Sequence, residues 1–298
     1  MNNKTTLLFP AFIAEYTQKE LETFSRHKID FTKYLQTASD TLGIVLQDFT
    51  YNSEEYKNDE FLAQIIAYLF SCASFDILKK NGIKPDFGAG YSMGIYSGLY
   101  AAGAIKFEDG IKIIYNAFKL VSELSCTDEY AMAGIVGLSI SDVQEITSNN
   151  SLSIEIINVN SEHSIVIAGV KKDVIKALDF SKMEGALAAS MLNVKTPYHS
   201  KYLKPFANRF SVFIDSFDIQ IPEFPIISTF DQRIITTTDE IRKELVFNLT
   251  EKINWYKTMQ FLIQKDVSLF YECGAGKDLS KIARFIDGDF RFIPLHSI

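Results

Sequence analysis

The sequence predicts an α/β protein in which a compact β-α-β-β-α-β unit interrupts a larger core built on a parallel sheet. Three observations carry this. Short apolar runs alternate with segments of helical period over residues 1–127 and again over 196–298. The stretch 128–195 changes rhythm and packs four strand-like runs and two helical ones into a small span. The chain has 298 residues, 47% of them hydrophobic, which is enough apolar surface for a packed core without metals or disulfides.

Taken in order, Thr5–Phe9 reads as a buried strand stopped by Pro10. Residues 61–80 have helical periodicity, with Leu62, Ile65, Ile66, Leu69 and Phe70 on one face and Gly82 as the stop. Pro85–Ala89 is a short strand, Met93–Ala102 a helix ended by Gly103, and Phe107–Ser125 another helix. Then come a strand at Ala131–Gly137 and a helix over Ser139–Ser148, opened by the Ser139/Asp142 capping pair. Strands at Ser153–Val159 and Ser164–Gly169 flank a turn at Asn160-Ser161-Glu162-His163. A helix at Lys171–Met183 and a strand at Ala188–Val194 close the unit. This order is the ferredoxin-like pattern. After Pro197 the expectations are a helix over Lys201–Ser216, a strand over Pro225–Thr229 and a helix headed by Thr237 and Glu240. A further helix follows Trp255, and a strand at Val267–Glu272 stops at Gly274-Ala275-Gly276. The domains expected are therefore a discontinuous α/β-hydrolase-like core (1–127 and 196–298) and a ferredoxin-like subdomain (128–195).

A formal net charge of −7 and a pI near 5.2 argue against a nucleic-acid-binding domain. Cys72, Cys126 and Cys273 form no C-x-x-C pair, so no zinc or redox motif is expected and a reducing compartment is. The apolar run before Pro10 is too short for a signal-peptide core. The stretch from Ile65 to Phe75 falls short of the roughly 18 residues of a spanning helix. The expectation is a cytoplasmic monomer with no cofactor, no metal, no nucleic acid and no membrane among its partners.

Gly90-Tyr91-Ser92-Met93-Gly94 fits G-x-S-x-G between a strand and a helix, the context in which a sharp turn lifts a serine hydroxyl out of a sheet. A nucleophilic serine needs a base. His27, His163, His199 and His296 are the candidates. His27 lies in a charged segment and His163 in a β-turn. His296 is close to the end of the sequence, yet a rival because hydrolases with this elbow keep their histidine late. His199 follows Pro197, which stiffens the backbone just before it.

With these residues in view the chain resembles the malonyl-CoA:acyl carrier protein transacylase family, the acyltransferases of fatty-acid and polyketide synthesis. Gly90-Tyr91-Ser92-Met93-Gly94-Ile95-Tyr96-Ser97 resembles the family's G-H-S-L-G-E-Y-S. Ala101-Ala102-Gly103-Ala104-Ile105 resembles its A-A-G-A-L, and Phe107-Glu108-Asp109-Gly110 its F-E-D. Ala131-Met132-Ala133, Ile157-Asn158-Val159-Asn160-Ser161, Pro197-Tyr198-His199-Ser200, Asn254-Trp255 and Glu272-Cys273-Gly274-Ala275-Gly276-Lys277 follow in family order. The resemblance implies ping-pong transfer from acyl-CoA to acyl carrier protein through an acyl-Ser92 ester, with His199 as base. It implies that a backbone carbonyl at Asn254 orients His199, and that the N–H groups of Met93 and Phe12 hold the oxyanion. It places Tyr91, Ala117, Asn160 and Tyr198 at the acyl pocket.

Three departures bear on substrate. The family's F-P-G-Q-G-S-Q is here Phe9-Pro10-Ala11-Phe12-Ile13-Ala14-Glu15. The family's malonyl-binding arginine falls at Ala117, and Lys119 lies ~200° round the helix from it. Tyr91 and Ile95 replace the elbow's His and Glu and are expected to make the pocket more apolar, while Tyr198 narrows it. These departures argue against malonyl unless another cation reaches the pocket, and leave an unaltered substrate and an uncharged short acyl group such as acetyl as equal expectations. An acyl-carrier-protein thioester hydrolase and a non-catalytic carrier-binding module stand as alternatives. Because carrier proteins are acidic, a net charge of −7 requires a local basic patch, expected from Lys195, Lys201, Lys204, Lys277, Lys281 and Arg284.

Overall fold

The computed structural model describes residues 4–11, 18–46, 56, 58–124 and 129–298. The apolar run Lys4–Phe9 is strand β1, ended by Pro10. Helices α1 (Gln18–Arg26) and α2 (Phe31–Leu42) follow. Next come α3 (Glu60–Lys80), β2 (Phe87–Gly90), α4 (Gly94–Ala101) and α5 (Phe107–Ser122). Asp59 caps α3 by accepting from the Leu62 N–H at 2.9 Å.

The inserted stretch comprises β3 (Tyr130–Val136), α6 (Ile140–Asn149), β4 (Ile154–Ser161), β5 (Ser164–Val170), α7 (Lys171–Met183) and β6 (Ala188–Met191). The Ser139/Asp142 capping box is formed in both directions, at 2.8 and 3.2 Å. Asn160 and Ser161 extend β4 rather than opening the turn, which leaves Glu162 and His163 at the tip. β6 ends at Met191, three residues short of the expected Val194.

The chain then forms α8 (Ala207–Ile214), β7 (Ile226–Ile227), β8 (Ile234–Ile235), α9 (Thr238–Thr250), β9 (Ile253–Asn254) and α10 (Trp255–Gln264). It closes with β10 (Val267–Glu272), α11 (Asp278–Ile282) and β11 (Arg291–Ile293). The helix expected over Lys201–Ser216 is two pieces, a 3-10 segment Lys201–Phe206 and then α8. Pro205 is the reason, because its ring and missing N–H break an α-helical ladder.

Two sheets result. One has the order β11-β10-β1-β2-β7-β8 and is parallel except at the β7–β8 edge. The other has the order β6-β3-β5-β4-β9. Its first four strands are antiparallel, and β9 joins parallel to β4 through Asn158–Ile253 and Val159–Asn254. The second sheet therefore takes its last strand from the 250s, beyond the inserted stretch.

One core packs α2, α3, α4 and α5 against one face of the parallel sheet, and a second places Trp255, Met259 and Leu262 of α10 on the other face. A third fills the space between α6, α7 and the antiparallel strands. Helix α3 is long and apolar enough to cross a membrane, against the expectation from its broken apolar run. Yet 83% of its most apolar window is buried in this core, where it is the central helix.

Candidate active site

The site begins where β2 turns into α4. Ser92 adopts φ +54°, a left-handed conformation that an L-residue takes only under constraint. A Cβ at Gly90 would lie 2.2 Å from the Ile95 nitrogen, and one at Gly94 would lie 2.0 Å from the Phe9 carbonyl oxygen. The two glycines are thus required by backbone contacts on both sides of the serine. The N–H groups of Gly94, Ile95 and Tyr96 are taken by the carbonyls of Tyr91, Ser92 and Met93. The Met93 N–H is paired with no described residue and opens the N-terminus of α4.

His199 comes from the segment between the inserted stretch and the 3-10 segment. It too has a left-handed backbone, φ +61°, and it is only 5% exposed. Its Nε2 lies 2.7 Å from Ser92 Oγ. Burial pushes its pKa down to about 3, against the upward pull of the Glu251 backbone carbonyl, so the ring is held neutral. Nδ1 is buried without a hydrogen bond of good geometry. The backbone N–H of His199 donates to the Leu249 carbonyl at 2.9 Å. His27, His163 and His296 lie elsewhere: His27 beside Asn81, His163 at the β4–β5 tip and His296 in the last 3-10 turn.

Among the described residues, Asn254 directs none of its hydrogen bonds to His199. Its carbonyl accepts from the Thr258 hydroxyl at 3.0 Å, its side chain caps α10 through the Lys257 N–H, and its N–H goes to the Thr229 carbonyl. Those bonds are local consequences of starting α10 at Trp255. The carbonyl that acts on His199 is that of Glu251, at the end of α9. Phe12, the second expected oxyanion donor, lies outside the described residues.

Tyr91 departs from the apolar role expected of it. Its hydroxyl donates to Asn160 Oδ1 at 3.0 Å and accepts from Asn158 Nδ2, and its ring meets Trp255 edge-on at 5.3 Å. It therefore ties the elbow to β4 and α10 with polar bonds. Ile95 is buried among core side chains. Ala117 is likewise buried in the apolar core on α5, and Lys119 is exposed. Tyr198 sits beside His199 with ring centroids 6.4 Å apart, and its hydroxyl accepts from Gln64 Nε2 at 2.9 Å. Gln64, Glu60 and Glu251 were not singled out from sequence. For Gln64 a signal existed, an amide interrupting an apolar helical run.

All six basic residues expected to dock a partner are exposed. Lys201 is paired to Glu155 at 3.0 Å and Lys281 to Asp278 at 3.0 Å, which removes much of their charge from the patch. Lys195, Lys204, Lys277 and Arg284 carry no ion pair among the described residues.

A serine–histidine pair on a glycine-framed elbow is shared by many hydrolases and transferases, so the relatives decide between them. Residues 35–251 match the model of the acyl transferase domain. The chain belongs to the acyl transferase domain family. Among its relatives, malonyl CoA-acyl carrier protein transacylase of Bacillus subtilis (strain 168) is 29% identical over 98% of this chain and 93% of its own length. That of Staphylococcus aureus (strain COL) is 28% identical over 99% and 96%. The Coxiella burnetii malonyl CoA-acyl carrier protein transacylase has a similar structure, with a TM-score of 0.88 and 26% identity, covering 99% of this chain and 94% of that one. A malonyl-transacylase solved in complex with a type II polyketide synthase acyl-carrier protein superposes with a TM-score of 0.87 at 26% identity, over 98% and 96% of the two chains. As a member of this family the chain is an acyltransferase.

Proposed function

We propose that this acyltransferase moves a short uncharged acyl group from acyl-CoA to the phosphopantetheine thiol of an acyl carrier protein, with Ser92 as nucleophile and His199 as base. The observation that carries the reading is the 2.7 Å contact between Ser92 Oγ and a buried, neutral His199 Nε2. With the Nδ1 proton turned toward the Glu251 carbonyl, Nε2 accepts the Ser92 proton as Oγ attacks the thioester carbon. The Met93 N–H stabilises the oxyanion. Collapse breaks the C–S bond, and the coenzyme thiolate leaves with the proton from His199. The carrier thiol then reverses these steps and restores Ser92–OH.

The preference for an uncharged acyl group rests on Ala117, whose methyl side chain lies in apolar surroundings and offers a carboxylate nothing. Docking of an acidic carrier protein is assigned to Lys195, Lys204, Lys277 and Arg284, the exposed cations without an ion pair among the described residues. We also read the core as α/β-hydrolase-like and residues 128–195 as a ferredoxin-like subdomain, on the strand order β6-β3-β5-β4.

The test is intact-mass analysis after incubation with acetyl-, malonyl- and longer acyl-CoA, with and without a phosphopantetheinylated carrier protein. The expected result is an acetyl adduct that exceeds the malonyl adduct, is discharged by the carrier and is absent in Ser92→Ala. Dominant malonyl loading overturns the acyl preference. Rapid release of free acid without a carrier favours hydrolysis.

A further inference from the structure

We propose that Glu60 is a positioning residue for His199, acting through the Lys195–Tyr198 segment that leads into it; this rests on reading His199 as the base. A base must be aimed, and little aims this ring directly. Nδ1 has no well-formed hydrogen bond, and no charged side chain acts on the imidazole, among the described residues. Its direction therefore depends on the path of the backbone, which enters His199 at φ +61° and would relax if released.

That path is tied on both sides by a carboxylate that captures a backbone N–H. Upstream, Glu60 Oε2 accepts from the Lys195 N–H at 3.0 Å. Downstream, Glu155 Oε2 accepts from the Lys201 N–H at 2.9 Å, and the Tyr202 hydroxyl donates to the Ser153 carbonyl at 3.1 Å. The two ties differ in origin. Glu155 belongs to β4, in the inserted stretch, whereas Glu60 is the first residue of α3, the central helix of the main core.

Glu60 also reaches further along the segment. Burial raises its carboxyl pKa and the nearby Lys195, Thr196 and Tyr198 lower it, while its Oε1 is buried without a hydrogen bond of good geometry. Thr196 is buried. One helical turn on, and so on the same face as Glu60, Gln64 donates to the Tyr198 hydroxyl. The groups facing Glu60 are thus Lys195, Thr196 and Tyr198, and those facing His199 are Ser92, Tyr198 and the Glu251 carbonyl. Glu60 anchors the residues that carry the base to a long, largely buried helix of the main core. It touches neither Ser92 nor His199.

Two readouts test this without requiring the natural acyl donor. A fluorophosphonate probe reads Ser92 nucleophilicity, and NMR titration of 13C-histidine reads the His199 ring, assigned by its loss in His199→Gln. In Glu60→Ala, labelling slows by about tenfold or more. The His199 midpoint rises by about one pH unit or more toward its ordinary value as water reaches the ring. Glu60→Gln keeps an oxygen for the Lys195 N–H and falls between wild type and Glu60→Ala on both readouts. A folded Glu60→Ala protein with wild-type labelling and titration overturns the proposal. If Glu60→Ala does not fold, wild-type behaviour of Glu60→Gln overturns it instead. Should wild-type protein accept acyl groups from no CoA thioester, the functional reading falls, and the histidine titration still decides the role of Glu60.

Discussion

The two halves of the serine–histidine pair are built in opposite ways. Ser92 is held by its immediate neighbours, through glycines two residues away on either side and the carbonyl of Phe9 on the adjacent strand. His199 is held from a distance, by α3, by β4 and by the end of α9, elements far from it in sequence. Both residues have a left-handed backbone, but a short motif accounts only for the first. A nucleophile on a tight turn needs steric room, which glycines provide locally. A buried neutral base needs desolvation and an aimed ring, which only packing from several elements supplies.

The largest expected effect separates the halves chemically. His199→Gln should slow Ser92 acylation by about 10²–10⁴-fold, measured by single-turnover mass spectrometry. It should also change the pH dependence of stability, with a sign that follows from burial. The folded pKa is about 3 and the ordinary one about 6.5, so between these values the unfolded chain holds a proton that the folded chain does not. Stability from this group is full above 6.5 and is lost as pH falls, at up to about 1.4 kcal/mol per pH unit. Glu244 and Glu272, both raised to about 7 by burial, act with the opposite sign. The wild-type minus His199→Gln difference in urea unfolding isolates the histidine, and a flat difference would show that His199 is not desolvated.

Gly94→Ala tests the local half. The new methyl would press on the Phe9 carbonyl, a backbone atom in a central strand, and the expected loss is about 3 kcal/mol. A wild-type urea midpoint would mean that the elbow yields more easily than its contacts imply.

Tyr91→Phe gives the smallest change. It leaves Asn158 and Asn160 without the hydroxyl they share, at a cost of about 1–2 kcal/mol. Because Tyr91 links the elbow to β4, the acylation rate should fall while KM for acyl-CoA changes little. A raised KM with an unchanged rate would make Tyr91 a substrate contact and return it to the pocket.

Much of this molecule was legible in its sequence. Ser139 with Asp142 and Thr237 with Glu240 marked helix starts that the structure keeps, because a capping box is closed within four residues. The strand Val267–Glu272 and the helix Lys171–Met183 were legible to the residue. Asn160 was misjudged as a turn residue. It lies within β4 at the register irregularity between Val159 and Ser161, where its side chain accepts from the Tyr91 hydroxyl, a long-range partner no single asparagine reveals. The Lys201–Ser216 helix overlooked Pro205, a local signal that was present.

By itself the sequence determined the elbow, the order of strands and helices and the serine at the elbow's apex, since each follows from sterics or hydrogen bonds among near neighbours. Only the tertiary structure decided which carbonyl acts on His199, what Tyr91 holds and which helix ties down the segment leading into His199. Glu251 displaced Asn254 from that first role because the course of the chain after α9, rather than residue type, determines which backbone oxygen faces a ring contributed from elsewhere. Backbone groups are alike at every position, so only the folded path of the chain distinguishes one from another.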